Sequence, residues 1–588
     1  MFVEELTRAL IETGALRDQG SRYELDQPLP LLTIPPSLHA SLLARLDRLA
    51  PAREVAQIGA AIGREFSYEL LAAVARREDD ELRRALDLLV EAGLVFRRGN
   101  PPYATYLFKH ALVQDTAYGT LLRGPREALH GRIATALEQS FSDSSDTPAE
   151  LLAQHWGYAG SADKAISYWL KAAEKSIDRS AMAEARVQIE KGLEFLDAIA
   201  EEDDRHRHEL ALQVALWRVL MTTRGPATPE AGRALLRARQ LCEVLGEIKG
   251  LPQVMCGQWS FYAHSGEPTA AQRMAEDLLA FGAERSVPAA TAVGNWELGW
   301  NSFVQGRGTA ALAYFEKATC GTPAPDATLA ILGFGAGVTA AAYSALAHLC
   351  LGHVDRGATQ SEAAIMMARG LAHPETEAVV SAVLCRYLWF ARNYPALKER
   401  SEAFTALMKE HSFAFWAAHS DLYRGWFHVE GGSADTGISL IEASLAAYRA
   451  SGNRQWLPAM LAVHATACQN ANRLKKALGS LAEAAQVAAR SGERWLEPEL
   501  ERLTGEVLIP IGSASEAEPH FEKAITIARN QSAKTWELRA ATSLARLWRE
   551  QGRGAEARDL LAPVYGWFTE GLDTPDLKEA KALLDELA

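Results

Sequence analysis

The stretch from Trp456 to Trp495 reads WLPAMLAVHATACQNANRLKKALGSLAEAAQVAARSGERW. It is rich in alanine and leucine and lacks the β-branched runs that build sheets, so it reads as helix. One break interrupts it at Asn472, and asparagine tolerates the left-handed backbone that ends a helix. Past the break come Ala477, Leu481 and Ala484. Residues four and three apart share one helical face, and small side chains there let a neighbouring helix approach closely. The unit is a helix, a tight turn and a second helix with a small-large-small stripe.

Outward from this unit the same features recur. Trp416, Trp456, Trp495 and Trp536 lie 40, 39 and 41 residues apart. Turn-forming residues return with that period at Gly266, Gly306, Gly352, Asn393, Gly432, Asn472, Gly512 and Gly552. The stripe returns as Ala311–Phe315–Ala318, Ala517–Phe521–Ala524, Ala165–Trp169–Ala172 and Ala231–Leu235–Ala238. Two units depart from it: Lys398 stands where a small residue is due after Asn393, and Gly437–Ile441–Ser444 follows Gly432. The pattern resembles the tetratricopeptide code A-x3-F-x2-A, stretched from about 34 residues to about 40. Its recurrence predicts an all-α solenoid of helical hairpins, with each tryptophan filling a gap between units.

The 588 residues are 48% hydrophobic and 23% charged, which excludes a disordered chain. The 61 basic and 74 acidic residues give a net charge of −13, so binding of nucleic acid would need a local basic patch. Six cysteines are never closer than 14 residues and form no CxxC, which fits reduced, buried thiols in a cytoplasmic protein. The run MFVEELTRALIETG carries acids where a signal peptide needs basic residues, and reads as an amphipathic helix. Ala327 to Leu351 has no charged residue and is long enough to span a bilayer. Its Gly and Ala content and its missing basic or aromatic flanks make it a buried helix pair of the repeat instead. No membrane association is expected.

Residues 34–140 leave the repeat. Helices are predicted at about 36–49, 51–62, 67–76 and 79–92, followed by two β-prone runs, Leu94–Phe96 and Tyr103–Phe108, around the turn Gly99-Asn100-Pro101-Pro102. Helices and then a β-hairpin describe a winged helix. Winged helices often read DNA, yet residues 34–98 hold ten Arg against ten acidic residues. No positive field gathers phosphate, so a packing module is expected and no nucleic-acid partner.

Several runs carry a family likeness: FVEELTRAL (Phe2–Leu10), IPPSLHASLLARLDRL (Ile34–Leu49), FKHALVQDTAYGTLL (Phe108–Leu122) and REALHGRIATALE (Arg126–Glu138). Together with the tail from Ala533 to Leu587 they resemble the bacterial signal-transducing ATPases with numerous domains, especially those linked to class III adenylate/guanylate cyclase domains. The chain itself has no GxxxxGK[ST] phosphate loop and no cyclase domain. The resemblance implies the C-terminal portion of a larger signalling protein: residues 1–33 a remnant ATPase-lid helix and linker, 34–140 the winged helix, 141–588 the superhelix. Lys109-His110-Ala111-Leu112-Val113 resembles the M-H-D-L-V motif of related plant and animal immune-receptor ATPases, whose histidine touches the nucleotide's phosphates. That likeness makes His110 a candidate nucleotide sensor acting with a separate ATPase module, although Lys109 and Ala111 depart from the motif. The alternative is a histidine that caps or packs the helix after the hairpin.

Other candidate chemistry is weak. Ile331 to Gly337 imitates a dinucleotide fingerprint but has Val338 in place of the third glycine, within helical repeat. His206 and His208 are two apart, face different ways on a helix and lack a further ligand nearby. HExxH and GxSxG are both missing. The reading is of a chain with no catalytic residues, metal or cofactor of its own. It would bind a protein partner or small effector on the superhelix's concave face as the sensor and scaffold arm of an ATPase or cyclase system. The alternatives are a fragment of a complete cyclase, a stand-alone adaptor and a transcriptional regulator.

Overall fold

The computed structural model describes residues 16–18, 23–25, 38–140, 148–246, 249–319, 325–411 and 413–588. The chain is an all-α solenoid of tetratricopeptide-like helical pairs with a small N-terminal module that carries a β-sheet. Two compact units divide it: residues 1–173 with 188–208, and residues 174–187 with 209–588. The amphipathic helix expected over the first fourteen residues lies outside the described residues. Strands β1 (Leu16–Asp18) and β2 (Tyr23–Leu25) pair antiparallel in the stretch read as linker.

In the first unit the four helices expected before the hairpin form as Leu38–Arg48, Ala50–Ile62, Tyr68–Ala75 and Asp79–Glu91. The hairpin forms as β4 (Val95–Arg98) and β5 (Thr105–Phe108). A third strand, β3 (Glu65–Ser67), was not expected and pairs with β5, giving the order β3-β5-β4. Phe66 explains it: its ring is 3% exposed and lies 5.6 Å from Phe108. It also seats over Gly59, where a Cβ would stand 2.7 Å from the ring. Ser67 then ends the strand by capping the next helix, its Oγ accepting from Leu70 N–H at 3.2 Å. Farther along, Tyr118, His130 and His155 form a buried chain, Oη to Nε2 at 2.8 Å and Nδ1 to Nδ1 at 2.9 Å. Burial pushes both imidazoles down to about 4, so they stay neutral.

In the second unit the turns end helices in the left-handed region at Gly266, Gly306, Gly352, Gly432, Asn472, Gly512 and Gly552. One expected turn shifts: the positive φ falls on Arg392 rather than Asn393. Asn393 instead opens the following helix, its Oδ1 accepting from Ala396 N–H at 3.3 Å. The one-residue shift accounts for Lys398, because the buried stripe becomes Leu397–Ser401–Phe404, large-small-large. The other stripes are buried as read; Ala517, Phe521 and Ala524 are each 0% exposed. Three of the bulky residues sit on a glycine of the preceding helix. A Cβ at Gly299 would stand 2.6 Å from Phe315, one at Gly425 2.6 Å from Ile441, and one at Gly505 2.5 Å from Phe521.

The first helices of the pairs, among them Pro288–Val304, Ala336–Leu351, Pro374–Phe390 and Lys534–Glu550, are almost wholly buried. Their last carbonyls have no partner within the helix. Here they accept from groups far along the chain: Arg454 N–H reaches His264 O at 2.8 Å and Arg494 N–H reaches Val304 O at 2.7 Å. Thr535 Oγ1 reaches Leu349 O at 2.5 Å, and an Arg539 guanidinium N–H donates to Phe390 O. The solenoid thus coils onto itself, and rings fill much of its inner face. Phe303 lies 5.1 Å from Trp495, Phe390 5.4 Å from Trp536, and Trp456 6.1 Å from Trp495. Trp416 leaves this row and is half-buried. The inner face is therefore no open groove along this row of rings.

Ala327 to Leu351 breaks at Gly333 (φ +84°) into Pro325–Leu332 and Ala336–Leu351. Among the described residues no helix is long and apolar enough to cross a membrane. Cys242, Cys256, Cys350, Cys385 and Cys468 are buried; Cys320 lies outside the described residues.

Candidate functional site

Several hollows remain within the second unit, and two of them have a distinctive lining. The first is a cavity of about 50 Å³ walled by seven helices and two connecting segments. Glu202–Arg224 supplies Trp217 and Met221, and Leu251–Ser265 supplies Cys256, Trp259 and His264. Pro288–Val304 supplies Trp296 and Trp300, and Ala336–Leu351 supplies Tyr343. Glu375 and Val379 come from Pro374–Phe390, Phe415 and Trp416 from Ala414–Glu430, and Pro226, Leu332 and Phe334 close the wall. The rings meet edge to face: Trp259 is 5.2 Å from Trp296 and 5.3 Å from Trp300, and Trp296 is 5.3 Å from Phe334.

Glu375 is the charged exception on this wall. It is 8% exposed and its Oε1 accepts from Thr222 Oγ1 at 2.7 Å. Burial pushes its carboxyl up to about 7, against the Thr222 hydrogen bond and the field of Arg218. Among the described residues no cation lies within ion-pair distance of it. His264 donates from Nδ1 to Ser260 O at 2.8 Å, and burial holds it down to about 4, hence neutral. Trp259 Nε1 donates to Asn301 Oδ1 at 3.2 Å, whereas the indole N–H groups of Trp217, Trp296 and Trp416 are buried without a partner. Behind the wall, Glu297 is 0% exposed beside Cys256, and burial raises both groups well above their ordinary values.

The second hollow, about 310 Å³, is polar. Arg539 bridges Glu499 at 3.2 Å and Asp576 at 2.7 Å. Arg502 grips Glu499 with two bonds of 2.8 Å, and Arg392 joins Asp576 at 3.1 Å to Glu579 at 2.7 Å. Burial alone would raise Glu499 and Asp576, but the guanidiniums beside them hold both below the usual carboxylate range. This lattice is internally satisfied and ties the last helix, Pro575–Glu586, to the inner face.

His110 stands at the N-terminal edge of the helix Ala111–Gly119, directly after β5, with extended backbone and no side-chain cap bond. Its Nε2 is buried without a partner. His208 bonds Asp163 at 2.6 Å and His206 lies 3.9 Å from Glu202, so the pair is spent on separate carboxylates. Among the described residues no three His, Cys, Asp or Glu are placed to hold a metal. Gly333 and Gly335 of the glycine-rich run form the break between two helices. Sequence reasoning did not find the aromatic chamber; its local signal was Glu375, three residues ahead of the run AVVSAVL (Ala378–Leu384).

No family model matches the chain. An uncharacterized protein of Rhizobium meliloti (strain 1021) is 25% identical over 527 residues, covering 86% of this chain and 50% of that protein. The chain thus spans about half the length of the curated relative it matches. Among solved structures, a Rap protein complexed with competence and sporulation factor is 13% identical with a TM-score of 0.43, covering 63% of this chain and 99% of its own. A signal transduction ATPase with numerous domains that carries a tetratricopeptide repeat sensor, from Pyrococcus horikoshii, is 12% identical with a TM-score of 0.28, covering 94% of this chain and 67% of its own.

Proposed function

We propose that this chain is the non-catalytic sensing and scaffolding arm of a signal-transduction ATPase or class III nucleotide cyclase system, and that its repeat unit takes up an effector. The observation that carries the reading is the aromatic chamber, with one buried carboxyl on its wall, within the helical-repeat unit. Its wall joins residues 217–300 to Phe415 and Trp416, so an occupant bears on how the coil closes. Such an occupant acts as a signal if it binds two packings of the coil with different affinity.

In this reading the first unit is a winged helix, which the order helix, strand, two helices and hairpin supports. His110, with its free Nε2 at the start of the next helix, faces the nucleotide of a separate ATPase module. The balance of arginines and acids over residues 34–98 speaks for packing rather than for DNA. The test is ADP titration of a complex reconstituted from this chain and an ATPase module of the signal-transducing type. Weaker ADP binding with His110→Ala is expected; unchanged affinity removes the sensor role.

A further inference from the structure

We propose that the aromatic chamber is a receptor for a small organic ammonium compound, a methylated headgroup held between tryptophan rings and the Glu375 carboxylate. The inference deepens the effector reading above and rests on it.

Two features select the ligand. The wall is aromatic, with Trp217, Trp259, Trp296, Trp300 and Trp416 around one space, and ring faces attract cations while tolerating methyl groups. Glu375 is the one carboxyl on that wall, and His264 is neutral. An anion would find no cation there, whereas an ammonium ion beside Glu375 favours the ionised form of its buried carboxyl. A compact ammonium ion meets both demands.

The chamber offers about 50 Å³, more than the roughly 10–15 Å³ a water needs and less than the roughly 150 Å³ that holds a benzene-sized guest. A branched headgroup therefore enters only as the surrounding rings shift, and a nucleotide or an oligosaccharide is excluded. Thr222 is the hydrogen-bond partner of Glu375, and Arg218 acts on it only through its field.

The experiment titrates the full chain at pH 8 by calorimetry and tryptophan fluorescence, using choline, tetramethylammonium and 3,3-dimethylbutan-1-ol, the neutral isostere of choline. Saturable binding of choline is expected, at least about ten-fold tighter than the isostere. Glu375→Gln should erase that preference, and Val379→Trp, which fills the space, should abolish binding of every probe. The comparison of choline with its isostere is made on the unaltered chain, so it stands even if a variant folds poorly. Equal binding of the isostere overturns the ammonium inference and leaves the effector chamber standing. No binding of any probe in the millimolar range overturns the inference and strips the effector reading of its carrying observation.

Discussion

Replacing Gly505 by alanine sets two effects of known sign against each other. Gly505 lies inside the helix Glu497–Ile511, where alanine is favoured over glycine by about 1 kcal/mol. The added Cβ, however, would stand 2.5 Å from Phe521 Cε1 and 2.8 Å from its Cζ, and that ring is 0% exposed with no room to retreat. Overpacking of this kind costs about 1–3 kcal/mol. Steric overlap therefore wins, and Gly505→Ala should destabilise by about 1 kcal/mol net. Phe521→Leu opens the notch, so adding Gly505→Ala to it should cost nothing, a coupling of about 1–2 kcal/mol. Urea unfolding followed by circular dichroism reads the energies, and amide exchange in Glu497–Ile511 and Ala514–Asn530 locates them. If Gly505→Ala stabilises by the amount helix propensity gives, and the two changes simply add, the glycine seat is not what registers the pair.

Arg539→Met should cost about 3 kcal/mol by leaving Glu499 and Asp576 each with one guanidinium fewer, and amide exchange should show Pro575–Glu586 fraying first; unaltered protection of that helix would count against the lattice. Burial lowers His419 to about 3. Between an unfolded value near 6.5 and that point, only the unfolded chain takes up the proton, so stability falls as pH drops through this window. Glu493, raised to about 7, acts oppositely, losing stability as pH rises from about 4.5 to 7. Melting temperatures across pH 4–8 should show His419→Phe losing less than the unaltered chain on the acid side, and parallel curves would refute the assignment.

The helical pairs were legible because close packing writes itself into sequence as spacing: Ala477, Leu481 and Ala484 had to be small, large and small for two helices to touch. The glycine seats were less visible, since Gly299 and Phe315 belong to different helices and only contact shows that they answer one another. A single residue moved the fourth turn, because Arg392 adopts the left-handed conformation that Asn393 was expected to take. Strand β3 was missed because three residues cannot establish a period, and Phe66 is held by Gly59 and Phe108 rather than by local preference. The tryptophan period misled in part: Trp456, Trp495 and Trp536 lie tilted in a row, whereas Trp416 lines the chamber. The chamber itself was illegible, because Trp217 and Trp416 are brought together only when the coil closes.

An ordinary repeat array can peel from either end, since each unit leans only on its neighbours. Here Arg454 and Arg494 fasten their amides to His264 and Val304, carbonyls 190 residues earlier, much as buttons meet the far edge of a collar. Such a coil cannot stretch gradually under load. Tension on one end is shared by every fastening in parallel, so yielding should come as one abrupt step rather than a staircase.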